Sequence, residues 1–199
     1  MILSLVDKDD PILREVMPEV DFDNFVYAAP TDNEIVSNVS KPQPVKLARD
    51  LADTMLKYNG IGLAANQVGL RHRVFAIKSN PVMVCFNPIL VDVSEKTELL
   101  DEGCLSIPGM FAKVRRPSII KARWTRPDGE TITEKYSGLT ARIFLHELSH
   151  LNGELFTDYL SSLVLVMAIK KANKNGFKYK ISDFRNKFET TQTTNAPLS

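Results

Sequence analysis

Two of the chain's three histidines stand four residues apart with a glutamate beside the first, in the stretch Leu139-Thr-Ala-Arg-Ile-Phe-Leu-His146-Glu147-Leu-Ser-His150-Leu-Asn-Gly153. On a helix, residues four apart lie one above the other, so His146 and His150 can aim both imidazoles at one metal ion. Glu147 then reaches the open side of that ion as a general base. H-E-x-x-H on a helix is a pattern for metal-assisted hydrolysis.

A catalytic metal keeps three protein ligands and one open position. Glu154 and Asp158 follow the second histidine and would suit a zincin-type peptidase. Upstream, Glu102-Gly-Cys104-Leu-Ser106 offers a free cysteine, and a thiolate is a better ligand for iron or zinc than a distant carboxylate. Gly60-Ile-Gly62-Leu-Ala-Ala-Asn-Gln67 adds two glycines that let backbone approach a ligand closely. Its Gln67 supplies a neutral amide donor of the kind used in an oxyanion hole.

These residues need elements to hold them. Ser137 as N-cap, an apolar stripe of Leu139, Ile143, Phe144 and Leu151, and the stop signal Asn152-Gly153 predict a helix around the histidines. Leu47, Leu51 and Met55 predict an earlier helix to about Tyr58, ended by Asn59-Gly60. Strands are expected over 73–78, 82–91 (broken at Asn87-Pro88), 96–100, 118–125 and 130–136, the last two joined by a Pro-Asp-Gly turn. A brief strand over 155–158 and a last helix over 159–173 follow. Asp10-Pro-Ile-Leu-Arg14 reads as a short helical turn, 21–44 as an irregular insertion, and 190–199 as polar enough to be disordered. The expected fold class is α+β: antiparallel β-sheets around a central H-E-x-x-H helix, with a C-terminal helix.

G-I-G-L-A-A-N-Q, E-G-C-L-S and H-E-L-S-H, in this order, resemble the three signature stretches of the peptide deformylase family. The resemblance extends over roughly 1–20 and 45–172. It implies a metal hydrolase that removes the N-formyl group from N-formylmethionyl peptides of newly made proteins, with Fe2+ as cofactor and Zn2+, Ni2+ or Co2+ able to substitute. Cys104, His146 and His150 would hold the ion. Glu147 would be the general base and acid in attack by metal-bound water, and Gln67 with the Leu105 N–H would stabilise the oxyanion. Ile61, Gly62 and Gly103 would align the peptide, while Leu100, Leu139 and Ile143 could line a methionine-sized pocket. The chain departs from the family at Ser149, where aspartate is usual and would face an arginine aligning with Arg116. It departs again at Leu145, where glutamine is common, and in the length of 21–44.

A chain of 199 residues, 44% of them hydrophobic, can bury one substantial core. A catalytic domain is expected over 1–175 and a basic, polar C-terminal tail over 176–199. The formal charge is only +1, but between Lys170 and Lys187 seven basic residues face one acid. Weak ribosome contact through this tail is therefore expected, and no DNA or membrane partner. The first residues carry neither signal-peptide nor transit-peptide features, so a cytoplasmic location is expected. Two cysteines, Cys85 and Cys104, do not suggest a disulfide framework, and Cys85 reads as a buried strand residue. Besides the zincin peptidase, a rival reading is a binding protein that kept the pocket but lost turnover through Ser149.

Overall fold

A computed structural model describes residues 1–27 and 43–184. Most of the expected insertion at 21–44 and all of the polar end at 190–199 lie outside the described residues.

The first helix, α1 (Gln43–Lys57), presents Leu47, Leu51 and Met55 on one fully buried stripe, as their spacing dictates. It packs against the short strand β1 (Gly62–Ala64) and β2 (Val74–Ile77). Then come β3 (Met83–Val93), β4 (Thr97–Cys104), β5 (Ile107–Pro117), β6 (Ile119–Thr125) and β7 (Thr131–Ser137). Five of these form an antiparallel sheet in the order β1-β2-β3-β6-β7, and β4 and β5 form a separate antiparallel hairpin. Helix α2 (Gly138–Leu151) runs between sheet and hairpin, and α3 (Ser162–Lys174) packs on β5. The architecture is α+β with the histidine-bearing helix at its centre.

Strand β3 does not break at Asn87-Pro88. The pair is absorbed as a register shift against β6, with Asn87 at φ 49° and its side chain bonded to both backbone groups of Val20 at 2.8 Å. Strand β5 was not among the expected elements. Its proline, glycine and charges hide a regular alternation in which Met110, Ala112, Val114 and Arg116 point inward. The expected strand at 155–158 is instead a 3-10 turn, Phe156–Tyr159, because the Asp158 carboxylate accepts the Leu155 N–H at 2.9 Å and curls the chain. Ser137 occupies the N-cap position of α2, but its hydroxyl makes no capping bond.

Every residue of α2 from Ala141 to Leu151 is buried. Phe144 meets the Phe75 ring edge-on with centroids 4.9 Å apart, fixing the helix to the sheet. The chain turns away after the helix at Gly153, whose φ of +71° and closeness to the Arg14 carbonyl exclude a side chain: a Cβ there would lie 2.5 Å from that oxygen. Gly153→Ala is expected to destabilise the fold by about 2 kcal/mol, read as a fall in thermal midpoint of roughly 4–8 °C. An unchanged midpoint would mean the turn relaxes freely.

Packing continues past residue 175. The chain returns through Phe177 to a 3-10 turn, Ile181–Asp183, burying Tyr179 and Phe184, and the Tyr179 hydroxyl donates to the Pro108 carbonyl at 2.7 Å. Among the described residues no helix is long and apolar enough to cross a membrane.

Candidate active site

The spacing of His146 and His150 does on α2 what helical geometry requires, setting the rings edge to face with centroids 5.0 Å apart. Cys104 arrives from the end of β4, where a register shift after Gly103 turns it inward. The ligating atoms of Cys104, His146 and His150 all lie within 4.8 Å of one another. The Cys104 Sγ stands 3.2 Å from His150 Nε2 and accepts from Gln67 Nε2 at 3.2 Å. One sulfur and two imidazoles, gathered so closely, fit a divalent transition metal and match the three-ligand pattern of catalytic zinc sites. Glu154 and Asp158, the other sequence candidates, are engaged elsewhere: Glu154 accepts from the Tyr159 hydroxyl and Asp158 from Arg14.

Gln67 sits on a 3-10 turn, Ala65–Val68. Its Oε1 accepts the Ala64 N–H at 2.8 Å, which fixes the amide so that Nε2 points toward Cys104 and Ser106. Glu147 is buried, and its Oε2 has no hydrogen-bond partner among the described residues. Burial pushes the Glu147 carboxyl up to about 7, with the nearby His146 opposing and the Glu102 charge adding to the rise. A carboxyl in that range can take and return a proton near neutral pH.

Behind the cluster, Glu102 joins three cationic or donor groups. Its Oε2 lies 2.9 Å from His146 Nδ1, Arg116 grips both its oxygens at 3.0 and 3.1 Å, and Arg142 donates to Oε1 at 2.8 Å. Burial alone would raise this carboxyl, yet the His146 and Arg116 hydrogen bonds hold it at about 2. Glu102 therefore stays ionised and fixes the His146 ring with its Nε2 free for the cluster. His150 is pushed well below the usual imidazole range, chiefly by burial, so it stands neutral.

A cavity of about 520 Å³ opens onto these groups. Ile61, Gly62, Gly103, Leu139 and Ile143 line it, together with Gln67, Leu105, His146 and Glu147. Leu139 is 62% exposed and so lies at the rim, whereas Ile143 is buried. Leu100 is not among the lining residues; the cavity wall on β4 begins at Asp101. Phe111, which the sequence did not single out, also lines it, covering Gly103 so closely that a Cβ there would stand 2.4 Å from the ring.

Gly62 is equally constrained, since a Cβ would meet Glu147 Oε1 at 2.2 Å and Ile143 Cγ2 at 2.8 Å. Gly62→Ala should displace the Glu147 carboxylate and reduce hydrolytic kcat/KM about 100-fold while leaving the far-UV circular dichroism spectrum unchanged. Parent-like turnover would show that Glu147 has slack.

The family model described as polypeptide deformylase matches residues 2–165. A peptide deformylase of Zymomonas mobilis subsp. mobilis is 44% identical over 185 residues, covering 87% of this chain and 94% of its own. The crystal structure of a Synechococcus elongatus peptide deformylase in complex with actinonin aligns with TM-score 0.74 and 31% identity, covering 92% of this chain and 90% of that one. The Thermotoga maritima peptide deformylase structure aligns with TM-score 0.70 and 31% identity, over 81% of this chain and 99% of that one.

Proposed function

This chain belongs to the polypeptide deformylase family, and from that membership we propose how its own residues carry out metal-dependent removal of the formyl group from N-formylmethionyl peptides. The reading is carried by the convergence of Cys104, His146 and His150 beside a cavity that Cys104 and His146 line together with Glu147 and Gln67.

Cys104, His146 and His150 hold the metal, with Glu102 orienting His146 from behind. A divalent ion in such a set supplies Lewis acidity and makes hydroxide available at neutral pH. Glu147 accepts the proton of the attacking water and later delivers it to the departing amine, two tasks suited to a carboxyl poised near neutrality. The Gln67 Nε2–H and the Leu105 backbone N–H stabilise the negative charge that develops on the formyl oxygen; one such donor contributes roughly 3 kcal/mol to the transition state. Ile61, Gly62 and Gly103 present backbone along the cavity wall to align an extended peptide, and Gly62 brings that backbone against Glu147 itself. Ile143 and Leu139 offer apolar surface for the methionine side chain.

Incubation with formyl-Met-Ala-Ser tests the activity: free amine should appear at a rate set by enzyme concentration. No amine from a metal-loaded, folded preparation would favour the non-catalytic binding reading. We assign ferrous iron as the native metal, the choice the family resemblance supports, with Zn2+, Ni2+ or Co2+ able to replace it. Anaerobic preparation should yield one iron per chain, and a chain carrying only zinc under those conditions would contradict the assignment.

The catalytic domain is taken as 1–175, in the cytoplasm where nascent chains are made, and the basic stretch beyond it as a weak ribosome contact. Because Tyr179 and Phe184 are buried, truncation at 176 would disturb packing. The test is replacement of Lys178 and Lys180 by alanine, which should reduce co-sedimentation with ribosomes at low salt. Unchanged co-sedimentation would remove the contact.

A further inference from the structure

Two buried guanidinium groups, Arg116 and Arg142, share one buried carboxylate, Glu102. Arg142 directs its remaining donors to the Val114 and Glu98 carbonyls, each at 2.7 Å. Arg116 instead donates to Ser149 Oγ at 3.0 Å, and its guanidinium lies 3.8 Å over the Tyr159 ring. Ser149 and Tyr159 are joined hydroxyl to hydroxyl at 3.1 Å, and the Tyr159 hydroxyl reaches the Glu154 carboxylate.

Donor chemistry sets the direction of this chain. Arginine can only donate and an ionised glutamate can only accept, so the single Tyr159 proton goes to Glu154. The Tyr159 oxygen is then left to accept from Ser149, in the rotamer that turns the single Ser149 proton from the Leu145 carbonyl, 3.0 Å away, toward Tyr159 at 3.1 Å. Each hydroxyl donates away from Arg116, and the series ends on a negative charge. A buried guanidinium with half a carboxylate is unfavourable unless further polar partners complete it, and aligned hydrogen bonds reinforce one another.

We propose that Glu154, acting through Tyr159 and Ser149, is a positioning residue that holds Arg116, and through Arg116 the Glu102–His146 pair, in the arrangement that receives the metal ion. The inference rests on the metal reading given above. Arg116 bonds both Glu102 oxygens, one of which also holds His146 Nδ1. Releasing Arg116 would leave Glu102 held by Arg142 at Oε1 alone, and Oε2, which carries the His146 ring, would lose its guanidinium partner. A neutral Ser149 thus works in this chain because a carboxylate five residues later takes over its charge at a distance.

Metal-free protein is titrated with Co2+ against a competing chelator, for the parent, Tyr159→Phe and Glu154→Gln, each with and without Ser149→Asp; thermal midpoints of the metal-free forms are recorded alongside. Tyr159→Phe keeps the ring beneath Arg116 and removes only the relay, so Co2+ affinity should fall about 10-fold or more. Glu154→Gln, at a half-exposed site that tolerates the change, should weaken it in the same direction. Ser149→Asp, which sets a carboxylate directly against Arg116, should return both variants to the parent affinity. Unchanged affinity in both single variants overturns the proposal, as does a loss that Ser149→Asp fails to restore. A parent that takes up no Co2+ would instead remove the metal reading, and this inference with it.

Discussion

Glu147→Gln is expected to keep its fold and its metal while lowering the deformylation kcat about 1,000-fold. The amide matches the carboxylate in shape, so packing against Gly62 and Ile143 is retained. It cannot accept a proton, however, and none of the neighbouring groups is placed to take over. Glu102 is held near 2 by its cationic partners and stays ionised, but every one of its oxygens is already bonded. KM should change little, because Glu147 acts on the proton rather than on the peptide. Steady-state kinetics with a formyl-Met peptide, accompanied by metal analysis, separates the cases. A loss of metal in parallel with activity would recast Glu147 as structural, and a kcat within a few-fold of the parent would remove it from the chemistry.

Cys104→Ser should do more. A serine hydroxyl is not ionised near neutral pH and is a hard donor, so the remaining pair of imidazoles would hold the metal weakly. Loss of bound metal and of nearly all turnover is expected, with secondary structure intact because Cys104 ends a strand whose hairpin partner supplies the hydrogen bonds. If both metal and activity survived, the third ligand would have to come from elsewhere, and the zincin reading would return. The present contacts of Glu154 with Tyr159, and of Asp158 with Arg14, would then have to break.

The site was unevenly legible in the sequence. His146, Glu147 and His150 could be read directly because helical periodicity alone puts them together. Cys104 could be read only as one option among three, since nothing local says that the end of a strand more than 40 residues upstream meets a later helix. The family resemblance, not the spacing, singled it out. Leu100 is expected beside Leu139 and Ile143 in the pocket, but the cavity ends at Asp101, and Leu100 stands 39% exposed outside it. Phe111 escaped notice because β5 itself did, its alternation masked by Pro108, Gly109 and three basic residues. The sharing of Glu102 between Arg116, Arg142 and His146 joins β4, β5 and α2, a pairing that only tertiary structure can specify. Leu155–Asp158 departs in the opposite sense: expected as a brief strand, it is curled into a turn by a single aspartate side chain.

X-ray absorption at the edge of the metal bound after anaerobic preparation reports most directly on whether one thiolate and two imidazoles share the ion. One sulfur and two nitrogen neighbours are the expected shell, at about 2.3 Å and about 2.0–2.1 Å in the zinc-substituted protein. The sulfur should vanish in Cys104→Ser loaded with excess metal. A shell of nitrogen and oxygen alone in the parent protein would contradict the assignment of Cys104 as a ligand.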